Sequence, residues 1–424
     1  MRTSHFFNKF LPWTIFYILP VAMFLLYFYH LTLSASPKTE FSHSKPKNFI
    51  SYSSLSADTV KRKAYENQCD YFKGEWIKDS AGPLYNDTTC GMIKEGRNCI
   101  KHGRPDTDYL YWRWKPNQCN LPRFDPNTFL KLIKNKHIAF VGDSLARNQL
   151  ESLLCMLSTS SIPNLVYQNG KDNEFSKWYF SSHNASVSLY WSPFLVQGIE
   201  KSSTRPNNEL YLDHVDEKWA KDINQMDMIV LSIGHWFLLP AIYHEGGSIL
   251  GCHYCQGFNY TEIGFYGVLG KAVRTSLNSI IDMRGNNNNV KGKNGIDVIV
   301  TTFAPHHFEG DWDKAGACPK TEPYKNGEKE VDGMSSDMRK VEIEEVESAK
   351  VKGIIRLEAL DVTKLAFLRP DGHPGPYMNY FPFAKGVGKF VQNDCVHWCL
   401  PGPIDTWNEI FLEIMKKWEG QNKS

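Results

Sequence analysis

His137-Ile-Ala-Phe-Val141 is a short apolar run ended by Gly142, and Gly142-Asp143-Ser144 leads from it into Leu150, Leu153, Leu154 and Leu157 at helical spacing. The run reads as a buried strand and the leucines as the inner face of a helix. Ser144 therefore stands on a strand-to-helix turn, with its hydroxyl exposed at the C-terminal edge of a sheet. Open α/β sheets place their ligands at that edge. The free N–H groups of a helix's first turn can stabilise an oxyanion there. Gly-Asp-Ser alone is a common turn tripeptide. Without its context Ser144 is only an N-cap and Asp143 a turn residue.

The same texture continues downstream. Met228–Ile233, stopped by Gly234, is a second buried strand; Ile296–Phe303 is a third and Gly353–Leu360 a fourth. Between the second and third, Phe265, Val268, Leu269, Ala272, Val273, Leu277 and Ile280 share one face of an amphipathic helix. A last helix runs from Asp405, a natural N-cap, through Trp407, Ile410, Phe411, Ile414 and Trp418. Strands alternating with helices predict an α/β domain with a central parallel sheet and crossovers. Cys69–Asp125 differs: it is dense in Cys, Gly, Pro and Trp without long periodicity, and predicts a disulfide-stapled amino-terminal lobe. The Asn286–Asn289 run is a surface loop with no assigned role, and there is no internal repeat.

A serine nucleophile needs a base, and the base an orienting carboxylate. Asp394-Cys395-Val396-His397 supplies both from one short segment, which Cys395 and Cys399 can staple to the body. The alternative for His397 is a turn cap or a partner for Trp398. Asp371-Gly372-His373, in a loop rich in Pro and Gly, is a rival pair best read as structural or substrate-side. His235, after the second strand, and His306-His307, after the third, face the same sheet edge as Ser144. Cys252-His253-Tyr254-Cys255 has the spacing of a metal or redox motif. No second Cys-x-x-Cys stands nearby, so a local disulfide is the better reading and no metal is expected.

The chain has 424 residues, 42% hydrophobic and 22% charged, with net charge +2. These are globular values, and the small charge leaves no global field for nucleic acid. Aromatics reach 13%, including 12 Trp, which suits either a rich core or platforms for sugar rings. Phe10–Pro37 has no Asp, Glu, Lys or Arg, and Leu11–Tyr29 is mostly apolar, long enough to span a bilayer core of ~30 Å. An anchor fits better than a cleaved signal peptide, whose apolar region is shorter. The lysines on both sides of the span leave orientation to the rest of the chain. Ten cysteines and the sequons at Asn86, Asn184, Asn259 and Asn422 follow it, so the body is expected in an oxidising lumen. The organisation expected is a cytoplasmic tail (1–10), a signal anchor (11–31), a lumenal stem (32–68) and a catalytic domain (69–420). The last divides into a Cys/Trp-rich lobe (69–135) and an α/β core (136–420).

Gly142-Asp143-Ser144-Leu145-Ala146-Arg147-Asn148, followed far downstream by Asp394-Cys-Val-His397-Trp398, resembles the plant trichome birefringence-like proteins, polysaccharide O-acetyltransferases related to the GDSL/SGNH esterases. Cys69-Asp70, Cys99, Tyr109-Leu-Tyr-Trp112-Arg113-Trp114 and Cys119-Asn-Leu-Pro-Arg123-Phe-Asp125 are similar to that family's amino-terminal block. The likeness covers about Cys69 to Trp418. It implies an SGNH-like three-layer domain and a double displacement through acetyl-Ser144, with His397 as base and Asp394 as its orienter. It implies an acetyl donor and no bound cofactor, a hemicellulose acceptor, a single-pass type II place in the Golgi membrane, and a membrane protein that supplies the donor. Ser144 and Gly234 backbone N–H groups, with Arg147, Asn148 and His235, are the oxyanion or substrate candidates. The Asn that SGNH esterases carry in their third block is missing from Ser232-Ile-Gly234-His235-Trp236. The family pattern further implies disulfides Cys69–Cys119, Cys90–Cys155, Cys99–Cys399 and Cys318–Cys395, leaving Cys252–Cys255 as a local pair. Gly234 to Tyr243 and Gly251 to Cys255 are similar to the xyloglucan and mannan branch, which favours galactose of xyloglucan side chains over glucomannan or xylan. An acetyl esterase with the same triad and a non-catalytic wall-polymer binding protein are the competing readings.

Overall fold

The computed structural model describes residues 69–170, 173–285, 295–325, 327–353 and 355–421. The expected tail, anchor and stem (1–68), the Asn286–Asn289 loop and the Asn422 sequon lie outside the described residues. Among the described residues no helix is long and apolar enough to cross a membrane.

The apolar run that begins at His137 is strand β3, and it lies at the centre of a seven-stranded sheet. The chain reaches it through β1 (Gly74–Lys78), β2 (Trp112–Pro116) and helix α1 (Pro126–Leu132). From β3 (His137–Gly142) it passes through the turn into helix α2 (Ser144–Ser158). The rest of this sheet comprises β4 (Asn164–Asn169), β5 (Phe175–Phe180), β6 (Ala185–Trp191), β9 (Met228–Ser232), β12 (Asp297–Thr301) and β13 (Arg356–Leu360). Its order is β13-β12-β9-β3-β6-β5-β4, with β13 through β6 mutually parallel and β5 and β4 antiparallel. The registers Gly142↔Ser232 and Thr301↔Ser232 bring the C-terminal ends of β3, β9 and β12 to one level.

Both faces of the central parallel strands β3, β9 and β12 are covered, so they read as nearly unbroken apolar runs. On one face, α2 and the last helix, α5 (Asp405–Gln421), pack with Phe140, Val230 and Ile299. On the other lie helices α3 (Tyr266–Ile280) and α4 (Gly333–Lys350), with Val141, Leu231 and Val300. This is the three-layer α/β arrangement expected. Asp405 is the first residue of α5 rather than a separate cap. Its carboxyl accepts from Ser152 (2.6 Å) and Tyr85 (2.8 Å), tying the helix to α2 and to the lobe.

Two features go beyond the sequence reading. The sheet carries an antiparallel edge, and a second, four-stranded sheet forms from β7 (Val196–Ile199), β8 (Asn208–Val215), β10 (Ala241–Glu245) and β11 (Ser248–His253). The lobe is built on the antiparallel pair β1–β2, where Trp76 and Trp114 meet edge to face at 5.6 Å. It joins the core through the buried pair Arg97–Glu151 (3.2 Å) and two disulfides. The bonded cysteines are Cys69–Cys119, Cys90–Cys155, Cys99–Cys399, Cys252–Cys255 and Cys318–Cys395.

Candidate active site

The Gly-Asp-Ser turn is built by close approach. A Cβ on Gly142 would lie 1.8 Å from the Ser232 carbonyl oxygen, so no side chain fits where β3 crosses the end of β9. Asp143 donates its N–H to that carbonyl (3.1 Å) and caps α2, its Oδ1 accepting from Leu145 N–H at 2.9 Å. Ala146 and Gly234 also direct N–H groups at the Asp143 carboxyl. Burial outweighs these donors and pushes the group up to about 7. Ser144 follows as the half-buried first residue of α2.

Asp394 and His397 form a self-contained unit. Asp394 Oδ1 accepts the N–H groups of Val396 (3.0 Å) and His397 (2.9 Å), and Oδ2 accepts His397 Nδ1–H at 2.7 Å. Burial alone would raise this carboxyl. The His397 ring and the backbone donors prevail and hold it well below the usual carboxylate range. Asp394 is thus ionised and fixes the His397 tautomer with Nδ1 protonated. His397 Nε2 is buried and has no hydrogen-bond partner among the described residues. It is the open acceptor that a general base needs.

Asn148 brings this unit to the helix that Ser144 begins. It lies one turn beyond Ser144, and its Oδ1 accepts Trp398 N–H at 2.7 Å while its Nδ2 donates to the Trp398 carbonyl at 3.3 Å. Asn148 therefore holds the base segment, and the second N–H of its amide keeps it an oxyanion candidate. The Gly234 N–H favours the ionised form of the Asp143 carboxyl, yet Asp143 Oδ2 has no hydrogen-bond partner among the described residues, so Gly234 stays an oxyanion candidate. The Ser144 N–H remains as the first-turn donor that Asp143 does not take. Arg147 lays its guanidinium over the Trp191 ring at 5.1 Å and lines a cavity with Glu151 and Trp178. His235 donates from Nε2 to the Ala304 carbonyl (2.9 Å), stands 6.0 Å from the His306 ring, and lies within the electrostatic reach of Asp394 and His397. Burial pushes it down to about 3, so it is neutral.

The rival pair is structural. Asp371 is fully buried against Arg369, which donates twice at 2.8 Å. His373 donates from Nδ1 to the His397 carbonyl (2.7 Å) and stacks on Trp398 at 4.2 Å. Its Nε2 meets His307 Nδ1 at 2.7 Å. Arg104, from the lobe, donates to the carbonyls of His373 (2.8 Å) and Asp371 (2.6 Å). The sequence did not point to this bracing; its partners lie 269 and 267 positions from Arg104. The three described sequons, Asn86, Asn184 and Asn259, are exposed. Among the described residues no group of three His, Cys, Asp or Glu side chains is placed to hold a metal.

A helix-borne serine at the edge of a parallel sheet, with a His–Asp unit held to the same helix, defines a GDSL/SGNH-like acyl-handling protein. Comparison with known proteins agrees. Residues 121–414 match the GDSL/SGNH-like acyl-esterase family found in Pmr5 and Cas1p, and residues 67–120 match the PMR5 N-terminal domain. The chain belongs to this family, within its trichome birefringence-like group. It is 62% identical to xyloglucan O-acetyltransferase 1 of Populus trichocarpa over 98% of this chain and 95% of that one. It is 51% identical to xyloglucan O-acetyltransferase 1 of Arabidopsis thaliana over 97% of each. Protein trichome birefringence-like 26 of Arabidopsis thaliana is 44% identical over 82% of this chain and 77% of its own.

Proposed function

We propose that this protein transfers acetyl groups to hydroxyls of xyloglucan, with galactose of the side chains as the preferred position. The observation that carries the reading is likeness along almost the whole chain to proteins named for that activity, 62% identical in the first case. The His397–Asp394 pair, held through Asn148 to the helix that Ser144 begins, supports the chemistry.

In the first half, Ser144 Oγ attacks the acetyl carbonyl carbon of the donor while His397 Nε2 takes the serine proton. The tetrahedral oxyanion collapses, and the imidazolium returns that proton to the departing donor group. Acetyl-Ser144 remains. In the second half, His397 removes the proton of a sugar hydroxyl, whose oxygen attacks the acetyl carbon. Ser144 Oγ leaves and recovers the proton. Asp394 stays ionised throughout and steadies the transient imidazolium. Residues 1–68, outside the described region, are proposed to anchor the enzyme as a type II protein of the Golgi membrane. The donor is an activated acetyl ester or thioester supplied there, with a membrane protein as its source.

The test incubates purified full-length chain with an acetyl donor and unacetylated xyloglucan, glucomannan and xylan oligosaccharides, and weighs the products. Added acetyl mass on xyloglucan supports the proposal. Acetyl gain confined to another glycan corrects the acceptor. Loss of acetyl from acetylated glycans, without gain, makes the enzyme an esterase.

A further inference from the structure

Two large aromatic side chains beside the acid–base segment are exposed although their backbone is tightly held. Trp312 is 53% exposed and Phe390 62%. Their rings meet edge to face, 5.9 Å apart and at 90°. Beneath them the chain is stitched together. Val391 donates its N–H to the Asp313 carbonyl (2.9 Å), and Asn393 donates its N–H to the Trp312 carbonyl (2.8 Å). The buried Asn393 amide donates to the carbonyls of Val391 (2.6 Å), Lys314 (2.8 Å) and Trp312 (3.3 Å). Cys318 is bonded to Cys395. Asn393 directly precedes Asp394, so the segment that carries Phe390 and the carboxylate orienting His397 is braced against the loop that carries Trp312.

An apolar surface held out in water marks a binding surface. A pyranose ring fits it. Its C–H face is apolar, whereas the hydroxyls at its rim can stay in water or reach polar neighbours such as Asp311 and Lys314, themselves exposed and paired at 2.7 Å. We propose that Trp312 and Phe390 form a stacking platform for the acceptor polysaccharide. Their perpendicular planes receive two adjoining sugar rings that are not coplanar, as at a branch. The inference rests on the reading of the site as a polysaccharide acetylating one. It adds the residues that seat the acceptor.

The test titrates unacetylated xyloglucan oligosaccharide into full-length chain by calorimetry and measures acetyl-transfer kinetics in parallel. Trp312→Ala and Phe390→Ala are each expected to weaken oligosaccharide binding and raise acceptor KM by about tenfold, with kcat changed less than about threefold, as loss of a stacking surface predicts. Trp312→Tyr restores most of the binding. Tyr111→Ala, an exposed ring of the lobe just before β2, is the control and changes neither constant. Oligosaccharide affinity equal to wild type in both alanine variants overturns the platform. So does a fall in kcat at unchanged affinity, which assigns the rings a structural role. Wild-type chain that binds the oligosaccharide through these rings but transfers no acetyl to it refutes the functional reading while leaving the platform standing.

Discussion

Asn148 grips the backbone of Trp398 at both of its polar groups, accepting its N–H and donating to its carbonyl across 250 positions of sequence. The bond pair fixes the distance between the helix that begins at Ser144 and the segment that carries His397. Asn148→Ala leaves two buried backbone groups unpaired, at a cost of about 1–3 kcal/mol. A displacement of about 1 Å at the base is enough to cost on the order of 10²-fold in rate. The expected result is a large fall in kcat with a modest fall in melting temperature. Asn148→Asp, which keeps the acceptor for Trp398 N–H, should retain more of both. Steady-state kinetics and a thermal melt check it; wild-type kcat in the alanine variant removes the positioning role.

Asp394→Asn separates orientation from charge. The amide can still accept Val396 and His397 N–H groups at one oxygen, so the turn persists. Presenting its NH₂ to His397 Nδ1 instead selects the wrong tautomer and leaves Nε2 protonated. A kcat loss on the order of 10³–10⁴ is expected, by analogy with other serine triads. Ser144→Ala and His397→Ala should each lose about as much as the Ser144/His397 double variant, because the groups act as one unit. Additive losses would contradict a shared nucleophile and base.

Asp143 makes stability depend on pH. Its carboxyl is raised to about 7 by burial, whereas in the unfolded chain it titrates near 4. Between those values the folded state holds a proton that the unfolded state has released, so stability falls as pH rises through that window. Asp405, raised to about 6, and Glu409, raised to about 7, both chiefly by burial, act in the same direction. Asp394 has the opposite sign: its depressed carboxyl contributes stability above about pH 4, and this is lost as pH falls further. The melting temperature is therefore expected to peak in mild acid and decline toward pH 8. Asp143→Asn keeps an oxygen for the Leu145 N–H and should flatten the decline. Melts across pH 4–8 test this; parallel profiles for the two proteins would contradict the assignment.

Four of the five parallel strands were legible because burial on both faces writes itself as continuous apolar runs, as in β3, β9 and β12, whereas β6 was missed because Ser186 and Ser188 interrupt its run. The second sheet was not legible either. β8 alternates buried and half-buried positions and exposes Asp213 and His214 just before its last residue, Val215, which dilutes its signal. The β10–β11 hairpin did carry a cue, Gly246-Gly247, and both glycines adopt positive φ in the turn. Helix α4 was hidden by Glu342 and Glu345, which lie on its buried side and blur the apolar stripe. The Ser144, Asp394 and His397 candidates came from local motifs whose geometry is itself local: an N-terminal helix turn and an Asp accepting from residues two and three positions ahead. The oxyanion candidates could not be sorted in the same way. Whether Gly234 or Asn148 has a donor to spare depends on Asp143 and Trp398, partners that only the fold supplies.

The Cys318–Cys395 bond makes a last prediction that divides local from global order. It joins the loop bearing Trp312 to Cys395, the residue directly after Asp394, closing 77 positions of chain. Chain entropy sets its contribution to overall stability at about 4.5 kcal/mol. Its local effect is larger in proportion, because His307 donates its N–H to the Cys395 carbonyl (3.0 Å) and so ties the His373 bracing to the same point. The seven-stranded sheet, by contrast, is held by backbone ladders and by two cores that do not need this bond. Graded reduction, or the paired substitution Cys318→Ala/Cys395→Ala, should therefore abolish acetyl transfer while far-UV circular dichroism still reports a folded sheet. Activity and ellipticity measured along one reductant series decide it. Loss of both at the same midpoint would show that the bond holds the whole domain, not the His397 segment alone.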